Sequence, residues 1–184
     1  MELIIVDNSL ISGRDIPELV NHLKIENPVG IEIGVDEAMT SEYLLDNIPN
    51  LKLFGVDPYA SYVDWNGNNL DQSGRNATYD KMRSRLDKFG SSFKHHRMIS
   101  DDAVGLFEDD SVDFIFIDGL HEYDQVLKDC RSYWPKVKKG GLFAGHDFGA
   151  IEGVRKAVEN FAEEVGVKLI NHKSAADIWY WIKD

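Results

Sequence analysis

Acidic residues stand at the ends of two short apolar segments, and a glycine follows the first of them. Residues 29–33 include Glu32 and lead into Gly34, and residues 51–56 lead into Asp57. A stretch with helical character separates the two segments. In a strand–loop–helix–strand unit, the glycine lets a ligand approach the backbone, and the second carboxylate accepts hydrogen bonds from ribose hydroxyls. The pattern predicts a nucleoside-binding site.

The residues that follow Gly34 narrow the choice of nucleoside. A dinucleotide fingerprint needs further glycines, but Asp36 and Glu37 occupy this turn. Two like charges about 4 Å apart repel by about 1 kcal/mol in water and by about 4 kcal/mol at an effective dielectric of about 20. A pyrophosphate is therefore disfavoured, and with it NAD, FAD and ATP. S-adenosylmethionine (SAM) fits better, because it contains ribose, positive sulfonium and amino groups, and no phosphate.

The elements that must position these residues alternate between strands and helices. Hydrophobic periodicity predicts helices over 15–26, 40–48, 82–89, 123–139 and 154–165 and a short helix after Asp101. It also predicts strands over 29–33, 51–56, 93–99, 112–117, 167–170 and 178–182, and a strand that begins at Leu142 and ends near Asp147. Such alternation predicts an α/β fold of the Rossmann-like, doubly wound type, with a mostly parallel sheet and helices on both faces. Ligands bind at the carboxyl ends of such strands, where Glu32, Asp57, Asp118 and Asp147 are expected.

Two segments fall outside the alternation. Residues 58–76 are rich in turn-forming residues, include Tyr59, Tyr62 and Trp65, and are too long for a routine connection. We interpret them as an active-site lid or substrate loop, with a mobile insertion as the alternative. Residues 1–28 are interpreted as an N-terminal extension of one domain that spans residues 1–184.

Composition restricts the class of partner. The 184 residues contain 20 Lys and Arg against 32 Asp and Glu, a net charge of −12, which argues against nucleic acid or an anionic membrane as partner. Cys130 is the only cysteine, so no intrachain disulfide can form. The N-terminus shows no basic leader, and no apolar run reaches the roughly 20 residues of a membrane span. We expect a cytoplasmic protein that acts on a neutral or cationic small molecule.

Several motifs resemble one family of enzymes. The segments Glu32-Ile33-Gly34 and Gly55-Val56-Asp57 resemble motif I and the acidic ribose motif of class I SAM-dependent methyltransferases. Residues 116–123, Gly140-Gly141 and His146-Asp147 are similar to the I-D-G-x-H-x-Y … G-G … H-D pattern of small O-methyltransferases related to macrolide-sugar methylating enzymes. The resemblance covers roughly residues 28–182. It implies a seven-stranded sheet of order 3-2-1-4-5-7-6 with the last strand antiparallel. Ala38 departs from the glycine usual in this subgroup.

The resemblance also implies which residues bind SAM and its product S-adenosylhomocysteine (SAH). Glu32 would lie near the methionine amino group, Gly34 would admit the ligand to the backbone, and Asp57 would take both ribose hydroxyls. The other cofactor-binding positions are Pro58, Ser100, Asp101 and Asp118. Ser100 and Asp101 are equally well explained as residues that cap a helix.

The chemistry is assigned to Asp118, His121, His146 and Asp147. Adjacent strands lie about 4.8 Å apart, so Asp118 and Asp147 would repel each other unless they share a proton or a cation. One interpretation is a site for Mg²⁺ or another divalent metal, with Asp118, Asp147 and His146 as ligands, and nearby histidines would also admit Mn²⁺. A hydroxyl acceptor must lose a proton, and an ordinary histidine pKa of about 6.5 suits a base at neutral pH better than a carboxylate does. His121 or His146 is therefore predicted to remove the proton.

The leading hypothesis is a SAM-dependent methyltransferase that acts on a hydroxyl of a small-molecule or sugar-like acceptor. The alternatives are a non-catalytic SAM-binding or regulatory subunit and, less favoured, an NAD-dependent oxidoreductase. The sequence leaves the oligomeric state open. We expect Trp179 and Trp181 to pack on helices, and exposed tryptophans there would mark a homodimer face.

Overall fold

The computed structural model describes residues 4–6, 15–64, 67–168, 170–172 and 177–184. Its central sheet has eight strands in the described part of the chain, and a separate hairpin has two more. The strands are β1 (Ile4–Val6), β2 (Val29–Ile33), β3 (Lys52–Val56), β4 (Tyr62–Val63), β5 (Asn69–Leu70), β6 (Phe93–His96), β7 (Val112–Ile117), β8 (Val137–Gly145), β9 (Ile170–His172) and β10 (Ile178–Ile182).

The sheet order confirms the expected arrangement and adds a strand to it. From one edge to the other the order is β6-β3-β2-β7-β8-β10-β9-β1. The first seven of these strands follow the expected 3-2-1-4-5-7-6 order, and β10 is antiparallel to both of its neighbours. The eighth strand is β1, which pairs parallel with β9 through Ile4 and Ile170. The expected count of seven strands was therefore one too low.

Helices cover both faces of the sheet because the buried strands are apolar on both sides. They are α1 (Asp15–His22), α2 (Met39–Asn47), α3 (Gln72–Leu86), α4 (Ser100–Ala103), α5 (Tyr123–Tyr133) and α6 (Glu152–Val165). In β7, Phe114 and Phe116 pack with α1 and α2 on one face. Ile115 and Ile117 pack with α5 and α6 on the other. Successive side chains of a strand point to opposite faces, so both layers are anchored on one strand.

Residues 58–76 are more regular than the sequence suggests. Strands β4 and β5 form an antiparallel hairpin in which Tyr62 pairs with Leu70 and Val63 with Asn69. Helix α3 begins at Gln72, inside the segment that was expected to be irregular. Trp65 and Asn66 lie outside the described residues. The interpretation of this segment as a lid or substrate loop stays a prediction.

Several predicted boundaries are wrong. The strand predicted over 93–99 ends at His96, and the strand predicted over 167–170 is observed at Ile170–His172. The first helix was expected to reach Glu26 but ends at His22. The helix that was expected to end among Lys136–Lys139 ends at Tyr133, because Pro135 enters a short 3₁₀ turn. Residues 137–145 then form β8, with a register irregularity against β7. No helix among the described residues is long and apolar enough to cross a membrane.

Candidate cofactor and acceptor site

Glu32 lies in the centre of the sheet and is almost completely buried. Its side chain is 1% exposed and accepts a hydrogen bond from the hydroxyl of Ser41, in the first turn of α2. The pKa of Glu32 is raised to about 8, mainly by burial and also by the nearby charges of Asp118 and Asp57, against the effect of the Ser41 hydrogen bond. In the ligand-free protein this carboxyl group is therefore mostly protonated at neutral pH.

Asp57 lies at the end of β3 and is surrounded by donors. One carboxylate oxygen accepts hydrogen bonds from the backbone N–H groups of Val35 at 3.2 Å and Asp36 at 3.0 Å. The other accepts one from the Tyr59 N–H at 2.8 Å and one from the Arg75 guanidinium at 3.3 Å. The carboxylate thus holds the turn after β2 and the loop after β3 at the same edge of the sheet.

The turn after β2 has an unusual backbone. Gly34 has a φ of 85°, and a Cβ at this position would overlap the Asp118 carbonyl oxygen. Glycine is thus required here by the packing of two loops, in addition to any approach of a ligand. Ala38, which stands where the resembled subgroup has glycine, is also in the left-handed region with φ 62° and ψ 30°. Such a conformation is unfavourable for alanine, so strain is concentrated in this turn.

Four side chains with donor atoms for a metal or a proton meet where β7 and β8 end. The His121 Nε2 atom lies 2.8 Å from one Asp147 oxygen and 3.7 Å from Asp118. The His146 Nδ1 atom lies 3.0 Å from the other Asp147 oxygen and 3.9 Å from Asp118. Asp147 itself has a φ of 62°, a strained conformation that directs its carboxylate between the two histidines.

The charges of this cluster depend on one another. Burial alone lowers the pKa of His121, but the carboxylates of Asp118 and Asp147 outweigh burial and raise it to about 9. The pKa of His146 is likewise raised by Asp147 and Asp118 against the effect of burial. Burial raises the pKa of Asp147, yet the two imidazoles hold it well below its usual range. In the ligand-free site both imidazoles therefore retain their protons more strongly than an ordinary histidine, whose pKa of about 6.5 was the basis for predicting His121 or His146 as the base.

The donor atoms of this cluster are close enough to one another to hold a cation. One donor atom from each of Asp118, His121 and Asp147 lies within 4.8 Å of the other two. The His121 Nε2 atom is buried and makes no aligned hydrogen bond among the described residues, although Asp147 is close. Mixed nitrogen and oxygen donors suit several divalent metals. The sequence had named His146 as the third ligand, whereas in the structure the histidine of this group is His121.

Ser100 and Asp101 begin α4 and are held by a polar network. The Gln125 amide lies within hydrogen-bond distance of Ser100, Asp101 and Asp129, at 3.1 to 3.2 Å. Lys128 pairs with the other oxygen of Asp101 at 2.6 Å. Asp129 is buried, and burial raises its pKa to about 6. The network ties the start of α4 to α5. The N-cap of α4 is Ile99, and no side chain caps this helix among the described residues, so the capping interpretation of Ser100 and Asp101 is wrong. Their role in ligand binding stays a prediction.

A small cleft opens beside the cluster. Its volume is about 110 Å³, and it lies between the β4–β5 hairpin and the loop that follows β7. Val63 and Leu120 are 60% and 45% exposed and give this cleft an apolar character. The lining residues are Tyr62, Val63, Asp64, Gly119, Leu120, His121 and Glu122. The hairpin thus forms one wall of a cleft that has His121 on the other side.

Two residues of this site, Ser41 and Arg75, were not predicted from the sequence. Ser41, in helix α2, donates a hydrogen bond to Glu32. Its place in the first turn of the helix after the β2 loop was the sequence feature that could have identified it. Arg75 is 6% exposed and bonds both Asp36 and Asp57. The two acidic residues implied a nearby cation, but nothing in the local pattern of residues 58–76 distinguished Arg75 from the other basic residues.

Three solved structures that share this fold are O-methyltransferases. The O-methyltransferase NovP aligns with a TM-score of 0.67 at 17% identity, over 93% of this chain and 77% of that chain. TomG from Streptomyces achromogenes, an O-methyltransferase in complex with SAM, aligns at 0.66 and 13%, over 96% and 82%. An O-methyltransferase from Bacillus cereus, in complex with SAH, aligns at 0.65 and 13%, over 93% and 80%. At these identities the likeness shows the fold, which is that of the class I methyltransferases.

The family follows from the sequence match. A family model described as a methyltransferase domain matches residues 31–148, from β2 to just beyond β8. A protein of Acanthamoeba polyphaga mimivirus is 27% identical over 134 residues, which make up 71% of this chain and 56% of the viral protein. The chain spans just over half the length of that relative. The chain belongs to the methyltransferase-domain family.

Proposed function

We propose that this protein transfers the methyl group of SAM to a hydroxyl of a small-molecule or sugar-like acceptor. The observation that supports this most directly is the convergence of Glu32, Asp57 and Asp118 on one edge of the sheet, beside a cleft that reaches His121. TomG and the Bacillus cereus enzyme were solved with SAM and SAH, and both are O-methyltransferases. This supports SAM as the methyl donor here.

Different residues would bind different parts of the cofactor. Asp57 would accept hydrogen bonds from the ribose hydroxyls, and an ionised Glu32 would pair with the methionine ammonium group. Ser100 and Asp101 lie on the side expected for adenine, while Gly34 and Pro58 would border the ligand with backbone. Asp118, at the end of β7, lies between the cofactor side and the acceptor cleft. The sulfonium methyl group would then face the cleft, as displacement at carbon requires.

In the transfer step, the acceptor oxygen forms a bond to the methyl carbon while the bond from that carbon to sulfur breaks. SAM leaves as SAH, and the acceptor hydroxyl loses its proton. In the site without a cation, His121 is the favoured group to receive that proton because it lines the cleft, and it must first lose the proton that Asp118 and Asp147 stabilise on its imidazole. His146 is the alternative. General-base assistance of this kind contributes on the order of 10²–10⁴ in rate.

A divalent cation is part of this proposal. Asp118, His121 and Asp147 would hold it, as their mutual spacing and the buried Nε2 atom of His121 allow. A bound cation would lower the pKa of an acceptor hydroxyl next to it. His121 would then be a ligand of the cation and could not serve as the base, so His146, which lies 3.0 Å from Asp147, would receive the acceptor proton instead.

The test has two stages. Calorimetry first measures SAH binding to the purified protein, and absence of binding would exclude the proposed cofactor. The protein is then incubated with methyl-labelled SAM and pooled small metabolites, with and without EDTA. A labelled product that requires Asp118 supports catalysis, and its loss in EDTA supports the cation. SAH binding without any labelled product would favour a non-catalytic binding protein.

A further inference from the structure

Arg75 joins the cofactor side of the site to the wall of the acceptor cleft. It lies in the first turn of α3, and its guanidinium reaches Asp36 at 2.8 Å and Asp57 at 3.3 Å. The same guanidinium lies over the rings of Tyr59 and Tyr62, at 5.2 and 5.6 Å from their centroids. Tyr62 belongs to β4 and lines the cleft. The buried Arg75 side chain therefore contacts both Asp57, the carboxylate proposed to bind the ribose, and the β4–β5 hairpin.

Asp57 has no acceptor capacity left for a ligand while Arg75 is bound to it. A carboxylate offers about four acceptor positions, and Asp57 receives three backbone N–H groups and the guanidinium. Ribose hydroxyls can bind only where one of these donors departs. The guanidinium makes the longest of the four contacts, and it is the one donor that can move without breaking the backbone structure of a turn.

The present position of Arg75 is also incompletely satisfied. Its Nε atom is buried and has no hydrogen-bond partner among the described residues. A buried donor without an acceptor costs about 1–3 kcal/mol. The ligand-free arrangement is therefore weaker than its ion pairs alone suggest, so exchange of the guanidinium for another donor on Asp57 is energetically accessible.

We propose that Arg75 is a positioning residue that couples ribose binding to the placement of the β4–β5 hairpin. The ribose hydroxyls replace the guanidinium on Asp57, Arg75 keeps its ion pair with Asp36, and Tyr62 moves with the cation that it covers. The cleft wall then takes its working position only when the cofactor is bound. This inference rests on the proposed function, because it takes a ribose-containing cofactor as the ligand of Asp57.

The test measures amide hydrogen exchange of residues 59–71 with and without SAH. In the wild-type protein we expect SAH to change hairpin exchange rates by about threefold or more, because the opening of an exposed hairpin has a low free energy that a changed contact can alter. A 2′,3′-dideoxy analogue of SAH, which lacks the hydroxyls, should change them much less at matched occupancy. In Arg75→Met the hairpin exchange should no longer respond to SAH, although SAH still binds.

Two further variants keep the test decisive. Arg83→Met alters an exposed arginine on the same helix that pairs with Asp87 and interacts with Tyr79, and should respond like the wild type. Arg75→Lys retains a cation for Asp36 and serves if Arg75→Met does not fold, and its hairpin response should be strongly reduced. SAH binding with an unchanged hairpin in the wild type, or a full response in both Arg75 variants, overturns the inference alone. Absence of SAH binding overturns the proposed function as well.

Discussion

The acidic residues at the carboxyl edge of the sheet have the same carboxyl group but differ in their surroundings. Glu32 is buried beside a hydroxyl, Asp57 is surrounded by N–H donors, and Asp147 lies between two imidazoles. Burial raises the pKa of Glu32, whereas the two imidazoles lower the pKa of Asp147. The same side-chain chemistry can therefore serve ammonium binding, ribose binding and cation or proton handling within one site.

Replacement of Glu32 by Gln tests the buried carboxyl group. Its folded-state pKa of about 8 lies above the ordinary 4.5, so the folded state binds the extra proton between these values. Wild-type stability should then fall as pH rises from about 4.5 to 8, whereas Glu32→Gln should lack this loss. The difference should approach roughly 5 kcal/mol, since one pKa unit corresponds to about 1.4 kcal/mol. Urea unfolding at several pH values measures it.

A control for this experiment is Glu42→Gln. The pKa of Glu42 is lowered by hydrogen bonds from Lys88 and Arg85, so its ionised form stabilises the fold and is lost toward acidic pH. That variant should be less stable than the wild type at neutral pH. Parallel stability profiles for the wild type and Glu32→Gln would show that Glu32 is ionised in the folded protein.

Replacement of Asp57 by Asn tests the carboxylate that is proposed to bind the ribose hydroxyls. Hydrogen bonds to a charged acceptor contribute about 1.5–3 kcal/mol each, so loss of the charge should weaken SAH binding by on the order of tenfold to a hundredfold. Calorimetry gives the dissociation constant. The control is Asp113→Asn, a buried acid that bonds Val29 and Lys138 in the interior of the fold. It should lower stability and leave SAH affinity unchanged, and an equal loss of affinity in both variants would refute the specific role of Asp57.

At the scale of elements, the site depends on how closely the loops after β2 and β7 approach each other. Gly34 lacks the Cβ that would overlap Asp118, and Asp57 holds the same turn from the other side. The loop that carries Asp118 therefore packs on the loop that would border the cofactor. A change in either loop displaces the other, which links cofactor binding to the position of the acceptor cleft.

Gly34→Ala should disrupt this approach. The substitution adds both the strain of a positive φ and a steric overlap with backbone, and we expect a loss of roughly 2–4 kcal/mol in unfolding free energy. SAH binding should weaken as the two loops separate. Gly67→Ala is a matched control, because Gly67 has nearly the same φ of 83° but, among the residues that the structure describes, no non-adjacent atom within 4 Å of the added Cβ. It should cost about 1 kcal/mol, and equal losses would argue against the overlap.

At the scale of the whole molecule, the parallel sheet gathers charges from four strands at one edge while the rest of the acidic surface is paired or solvated. Trp179 and Trp181 are buried, at 0% and 2% exposed, so they mark no dimer face. They pack with Phe143 and Phe161 against α6. The aromatic layer stabilises the half of the sheet that carries Asp147, the residue shared by both histidines.

Divalent cations should stabilise the whole fold if the cluster binds them. At a free concentration 100 times the dissociation constant, binding to the folded state alone adds about 2.7 kcal/mol. Thermal unfolding with Mg²⁺ or Mn²⁺, and after EDTA treatment, measures the shift. Asp147→Asn should abolish it, whereas Asp109→Asn, which alters an exposed acid paired with Lys136, should retain it. Equal shifts in all three proteins would indicate nonspecific binding.

The sequence by itself determined much of the fold. The strands 112–117 and 178–182 were predicted with their observed bounds, because side-chain alternation and apolar runs are local properties. The order of the sheet followed from the resemblance to a known family and is confirmed. The convergence of Glu32, Asp57, Asp118 and Asp147 followed in turn, since parallel strands must end at one edge.

Only the tertiary structure decided how those residues interact. Arg75 lies 39 residues from Asp36 in sequence, and no local pattern encodes that ion pair. The β4–β5 hairpin, the choice of His121 as the third donor and the extra strand β1 depend in the same way on contacts between distant segments. Periodicity reports which face of an element is buried, but the pairing of charges and the protonation of buried groups depend on distances that only the folded chain defines.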